Sequence, residues 1–402
     1  MGRSRLPLAI AVAVAAAAAA TLLLRPRSGL IEPAPVDVRQ YFTAFQLERA
    51  QDFRSLQRIL GLAGLGVGIG TLGVLAWRPP QRVLGRLQAQ PLVGGAVAGA
   101  GISLVLVVTG LPISAWMRQR SLDVGLSTQA WPDWALDVVK SAGIGAVTAA
   151  IGGLAAVALV RRFPRNWWVP GAVLVIAYGV VTIWLYPIVI DPVFNRFDKL
   201  KPGQLRTDVL ELAQRAGVDV GEVYRIDASR RTSAANAYVI GLGHSKRVVL
   251  YDNLIDGFPR DEVRVVVAHE LGHQKHNDLW RGLAWLALVA PAGTFLTQTL
   301  AQRIARRELG TPAGLPAIAL AVSLAGLGLG MASNALSRPV EARADSFALQ
   351  LTRDPTDFVK FERRIAIRNI SDPDPPRLFH VLFDTHPTDR ERIGIGEAFR
   401  SK

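Results

Sequence analysis

The chain has 402 residues, half of them apolar, a formal net charge of +14 and no cysteine. Without cysteine there is no disulfide framework and no thiolate metal site, so any metal must be held by histidine and carboxylate. The basic excess is spread as arginines through loops rather than gathered in a recognition element, which argues against a nucleic-acid partner and fits contact with anionic lipid headgroups.

The apolar residues come in seven blocks free of Asp, Glu, Lys and Arg: Leu6 to Leu24, Ile59 to Trp77, Pro91 to Met117, Ser141 to Val160, Asn166 to Ile190, Gly282 to Ala301 and Ala313 to Ser337. Each is long enough for a helix to cross the hydrocarbon layer, which takes about 20 residues at ~1.5 Å each. The expected fold is a mostly α polytopic membrane protein of about seven transmembrane helices with the lipid bilayer as partner. Arg3 and Arg5 before the first block also describe a secretory signal, with Ala18 and Ala20 as a cleavage site. Those alanines lie inside the apolar run and Leu22 to Leu24 follow them, so a retained anchor is expected. Tyr41 to Leu60 reads as an amphipathic connector that lays Phe42, Phe45 and Phe53 on the membrane surface. Gly94, Gly95, Gly99 and Gly101 suit helices that pack closely in lipid. Trp77, Trp116, Trp131, Trp134, Trp167 and Trp168 stand at or near span ends, as interfacial anchors do.

Residues 1–190 thus form a five-span membrane region, and from Asp191 the composition turns charged and soluble in character. Leu205, Val209, Leu212 and Ala213 predict a helix over Gln204 to Ala216 with Gly217 as its stop. Glu222 to Asp227 predicts a strand; Asn236 to Leu242 and Arg247 to Asp252 predict two more, joined as a hairpin through Gly243-His-Ser-Lys246. Such a small sheet offers an edge to which an extended peptide can add by main-chain hydrogen bonds.

Three of the six histidines follow within eight residues, in His269-Glu-Leu-Gly-His273-Gln-Lys-His276. On a helix His269 and His273 share a face, where two imidazoles can grip one metal ion, and Glu270 beside them can take a proton from a water that the metal activates. The bland alternative is an ordinary amphipathic helix. Pro259, Asp261 and Glu262 suit its start, and Arg260, Arg264 and Lys275 keep it out of the lipid. A hydrolytic zinc needs a third protein ligand. Spans six and seven (residues 279–337) return the chain to the same membrane side, where Glu341 and Asp345 stand one helical turn apart. Glu341 is the expected ligand, and Asp345 then hydrogen-bonds a ligand histidine. Residues 191–278 and 338–402 become two parts of one zincin-like α+β catalytic domain. His244, His276 and His380 have no matching role and are expected at the surface.

His269-Glu-Leu-Gly-His273 followed two spans later by Glu341-Ala-Arg-Ala-Asp345 resembles the integral-membrane zinc metalloproteases, the family of the type I CAAX prenyl proteases and the bacterial heat-shock membrane metalloproteases. Seven spans favour the CAAX branch. The resemblance implies one Zn2+ per chain and a peptide or protein substrate, possibly lipid-modified. Asn236-Ala-Tyr238 resembles the family's substrate-strand motif, which implies that Asn236 and Tyr238 face the substrate. His386-Pro-Thr-Asp-Arg-Glu-Arg392 resembles its C-terminal motif, which implies that His386 holds the transition-state oxygen and Arg392 braces the site. A cytoplasmic catalytic face is implied by the family alone, because basic residues are comparable on the two sides. Clearance of membrane proteins without prenyl specificity is equally compatible. A zinc-stabilised membrane binding or transport protein fits less well, since it calls for a fourth closed ligand and charged residues within the spans.

Overall fold

The computed structural model describes residues 5–241 and 246–401. The first five long apolar helices are α1 (Arg5–Leu24), α2 (Ala44–Trp77), α3 (Pro91–Asp123), α4 (Trp131–Arg162) and α5 (Trp168–Leu185), the last prolonged by a π-helical turn over Tyr186–Ile190. Strands β1 (Phe197–Lys199), β2 (Glu222–Ile226), β3 (Ala237–Ile240) and β4 (Arg247–Tyr251) follow, with helix α6 (Gln204–Ala216) after β1 and α7 (Arg260–Lys275) after β4. Spans six and seven are α8 (Asp278–Ile304) and α9 (Leu315–Thr352), and α10 (Pro355–Arg368) and α11 (Asp389–Arg400) lie near the C-terminus. Among the described residues, seven helices are long and apolar enough to cross a membrane.

Several spans continue beyond their charge-free blocks, and the extensions of α2 and α9 reach the catalytic domain. Helix α2 starts at Ala44, where Thr43 and Gln46 cap each other's backbone reciprocally. The stretch expected to be a surface connector is therefore the span's own polar end. Phe42 and Phe53 do not lie on the membrane: Phe42 is buried in the catalytic core and Phe53 packs on Ile370, while Phe45 stays 71% exposed. Helix α9 likewise runs unbroken past Ser337, so Glu341 and Asp345 ride on a rigid extension of span seven.

Within the bundle, α3 and α4 touch backbone to backbone. A Cβ on Gly99 would lie 2.1 Å from the Ala149 carbonyl oxygen, and one on Gly153 would lie 2.3 Å from that of Gly95. Gly101, expected to share in this contact, faces open space. Helix α1 buries Ala9, Ala13, Ala17 and Ala20 on one stripe and packs against α8 and α9, where Trp285 Nε1 donates to Thr21 Oγ1 at 3.1 Å. Trp167 departs from the anchor role: it is buried among Val160, Ala301 and Ile318.

Among the described residues the sheet has four strands in the order β1-β2-β4-β3, with β2 and β4 parallel and the other pairs antiparallel. The short β1 carries two charges in three residues and gives no apolar signal in the sequence. The strands expected to form the hairpin pair from Ala237 opposite Leu250 to Ile240 opposite Arg247. Residues 242–245 of its turn, including His244, lie outside the described residues. Alternation sends Val248 and Leu250 into a core shared with Leu212 of α6 and Val263, Val267 and Leu271 of α7. Gly217 ends α6 in the left-handed conformation, φ 67°. Glu262 in the first turn of α7 is fully buried and receives Nε and Nη2 of Arg364 at 2.7 and 3.1 Å.

Candidate metal centre and active site

Helix α7 presents His269 and His273 on one face, their ring centroids 4.8 Å apart. Opposite them runs the extension of α9. The approach is close because α7 carries Gly272, where a Cβ would meet Phe347 Cδ1 at 3.1 Å and Ala344 Cα at 3.3 Å. Glu341 thereby brings Oε2 to 3.3 Å from His269 Nε2 and 3.5 Å from His273 Nε2, while the two Nε2 atoms are 3.2 Å apart. One donor atom from each of the three residues lies within 4.8 Å of the others.

The outer ring nitrogens decide what these inner atoms are. His269 Nδ1 lies 2.8 Å from Asp345 Oδ1, and His273 Nδ1 lies 3.1 Å from Asp278 Oδ2. A carboxylate only accepts, so each Nδ1 carries a proton, and once Nε2 gives up its own proton to a metal ion each ring turns a lone pair inward. Two lone pairs and a carboxylate oxygen facing one another repel unless positive charge lies among them. Oε2 of Glu341 is buried and makes no hydrogen bond of proper geometry. Burial opposes protonation of His269, yet the carboxylates of Asp345 and Glu341 outweigh it and push the ring up to about 9. His273 is raised as well, with Asp278 and Glu341 overcoming its burial. This donor set calls for a cation, and two imidazoles with one carboxylate suit a divalent ion such as zinc, leaving a coordination position open.

Around this centre the structure gathers most of the residues singled out in the sequence. Glu270 follows His269 in α7, and burial raises its pKa against the pull of both histidines, which makes it a better proton acceptor. His386, exposed just ahead of α11, places Nε2 3.3 Å from Glu341 Oε2. Asp345 is fully buried and accepts Nε and Nη2 of Arg392 at 2.9 and 2.6 Å. Arg392 also meets buried Glu362, whose Oε2 is 2.9 Å from Nη1. Burial pushes the Glu362 carboxyl up while Arg392 opposes it. Asn236 stands exposed at the head of β3 and accepts from Ala237 N–H through Oδ1 at 2.9 Å.

Tyr238 sits on the face of β3 away from α7. Its hydroxyl donates to Asp191 Oδ2 at 2.6 Å, and its ring lines a cavity of about 780 Å³ with Trp184, Tyr224 and Ile240. His380 is not a surface residue: its ring is largely buried, with Nδ1 3.1 Å from Asp384. His276 is half-buried with its edge to Phe347. Sequence reasoning missed Asp278, Arg343 and Glu362. Asp278 reads as a polar residue before a span and Glu362 as one charge on an amphipathic helix; the five-residue step from His273 to Asp278 was the one available signal.

Residues 199–395 match the model of peptidase family M48, and residues 49–196 match that of the CAAX prenyl protease N-terminal region with its five membrane helices. The uncharacterised metalloprotease YhfN of Bacillus subtilis is 32% identical over 304 residues, 74% of this chain and 71% of that protein. The chain belongs to peptidase family M48. As an M48 peptidase it is a membrane metalloprotease, a hydrolase that uses a metal and acts on peptides or proteins. CAAX prenyl protease 1 of Saccharomyces cerevisiae is 34% identical over 152 residues, which cover 36% of this M48 peptidase and 32% of the yeast enzyme. The probable CAAX prenyl protease 1 of Schizosaccharomyces pombe is 28% identical over 64% of the chain and 56% of its own length. The crystal structure of S. mikatae Ste24p superposes with a TM-score of 0.73 over 98% of this M48 peptidase and 99% of that chain at 20% identity, a likeness of fold.

Proposed function

We propose that the protein is a zinc-dependent endopeptidase that cleaves membrane-associated or lipid-modified substrates, with its catalytic face in the cytoplasm and its spans in the cell membrane. His269, His273 and Glu341 would hold the ion. When bound, zinc polarises the scissile carbonyl and lowers the pKa of a water toward ~7. Glu270 takes a proton from the attacking water and delivers it to the leaving amine, so no covalent enzyme intermediate is needed. His386, whose Nε2 lies 3.3 Å from Glu341 Oε2, donates to the carbonyl oxygen as charge develops there. Asp345, gripped by Arg392, holds His269 in the tautomer that coordinates.

The substrate strand has a place to lie. Strand β3 is outermost in the sheet, and Tyr251 N–H pairs with Asn236 C=O at 3.1 Å, so the main-chain groups of Ala237 and Val239 turn to the open edge. Gln274 Nε2 donates to the Val239 carbonyl at 3.2 Å, as a substrate N–H would. Asn236 then stands beside the peptide, while the Tyr238 ring faces the cavity on the other side of the sheet. Membrane-derived or lipid-bearing substrates are supported by a cavity of about 740 Å³ that runs from His386 and Asp384 to Gly61, Leu62 and Leu65 of span two, polar at one end and apolar at the other.

The observation that carries this reading is the convergence of His269, His273 and Glu341 from two helices separated by two membrane crossings. A quenched-peptide cleavage assay tests it. Cleavage by the purified protein should stop with a chelator and return with Zn2+, and Glu270→Gln should keep the metal and lose turnover. Chelator-resistant cleavage, or turnover retained by Glu270→Gln, contradicts it.

A further inference from the structure

The two ligand histidines are supported in parallel ways, and only one support is foreseen by the sequence motifs. Asp345 backs His269 and is itself held by Arg392. Asp278 backs His273, and its other oxygen receives Arg343 Nη2 and, at 3.2 Å, Arg281 Nε. The Asp278 side chain is 8% exposed and that of Arg343 7%, so this is no solvated surface pair. The carboxylate reaches back to α7 because the chain turns within two residues. His276 closes α7, Asn277 takes the left-handed conformation at φ 55°, and α8 starts at Asp278. The cluster also meets the membrane body. Arg281 Nη1 donates to the carbonyl of Leu24 at the end of span one, and Arg343 lies two residues beyond Glu341 on α9.

We infer that Asp278 is the positioning residue of the second metal ligand: its carboxylate accepts from the Nδ1–H of His273 and so holds the ring turned with Nε2 facing the ion. Arg343 and Arg281 fix that carboxylate to spans seven and six, so the metal geometry depends on how span six leaves the metal helix. The inference rests on the reading of His273 as a ligand. Removing an outer carboxylate of this kind weakens metal binding about 10- to 100-fold.

The test uses the full-length protein in detergent, titrated with Zn2+ against a competing chelator, and a Co2+-loaded sample read by its visible absorption bands. Asp278→Asn keeps the shape of the side chain but loses the charge. It should weaken Zn2+ binding about 10- to 100-fold and shift the Co2+ bands, and Asp278→Glu should restore part of both. Arg343→Gln, which leaves the carboxylate but loosens it, should move both readouts in the same direction by less, and it serves if Asp278→Asn does not fold. Wild-type Zn2+ affinity and Co2+ bands in a folded Asp278→Asn or Arg343→Gln protein would overturn the inference, even if its melting temperature fell, because a merely structural role predicts that pattern. His273→Ala is the reference: if it too kept wild-type affinity, the ligand reading itself would fail, whereas failure at Asp278 alone leaves that reading standing.

Discussion

Arg392 is the guanidinium on which two fully buried carboxylates, Asp345 and Glu362, depend. Replacing it with Met leaves Glu362 without its cation and Asp345 with only the His269 Nδ1–H, a loss of about 3–5 kcal/mol in such settings. A fall in melting temperature together with weaker Zn2+ binding is expected for Arg392→Met, and an unchanged melting temperature would mean the pairing contributes little. Glu270→Gln should retain metal while cleavage drops at least about 10²-fold, the usual contribution of a positioned proton acceptor. His273→Ala and Glu341→Ala should lose the metal itself, as read by metal content after dialysis. The residues that touch the proposed ion were legible because helical spacing fixes His269 against His273 and the span count returns Glu341 to their side. Behind them, Asp345 was legible from its one-turn step from Glu341 and Arg392 from the family resemblance, but Asp278 and Glu362 were not. Glu362 meets Arg392 across separate helices, and Asp278 meets Arg343 only because α8 and α9 pack side by side, which no local spacing encodes.

Close helix contacts set where these side chains arrive. A methyl group on Gly99 would collide with the Ala149 carbonyl, so Gly99→Ala should force α3 and α4 apart at a cost of about 1–3 kcal/mol, visible as a lower melting temperature in detergent. Gly101→Ala, which meets open space, is the control and should change nothing. In the sheet, Glu222 on β2 binds Arg206 of α6 and Lys199 of β1. Arg206, the Val223 N–H and Lys199 hold its carboxyl down to about 2, from an ordinary value of 4.5. A depressed acid contributes stability above about pH 4.5 and loses it as pH falls toward 2. Denaturation curves between pH 5 and 2.5 should therefore be flatter for Glu222→Gln than for the wild type, and equal slopes would contradict the assignment. Helices α6 and α7 and strands β2 to β4 were legible because apolar period and glycine or proline stops agree there. Strand β1 is hidden by its charges, and the polar half of α2 reads as a surface connector because Phe42 just ahead of it and Phe53 within it find apolar partners only once the catalytic domain has folded.

At the scale of the molecule, the proposed ligands come from helices that two membrane crossings separate, so a bound ion would tie α7 to α9 and stabilise the whole. An ion present at a thousand times its dissociation constant adds about 4 kcal/mol to the folded state. Chelation should accordingly lower the melting temperature of the full-length protein, and added Zn2+ should restore it. The absence of cysteine makes orientation simple to test. A Lys201→Cys variant, with its thiol on the exposed catalytic side, should react with an impermeant maleimide only after cells are opened; labelling of intact cells would place that side outside. The central claim, one divalent ion clasped by two histidines of α7 and one glutamate of α9, is met most directly by anomalous scattering at the zinc edge from crystals of the zinc-loaded protein. The account predicts a single peak in bonding contact with His269 Nε2, His273 Nε2 and Glu341. No peak at that position, or a peak bound by other side chains, would contradict it.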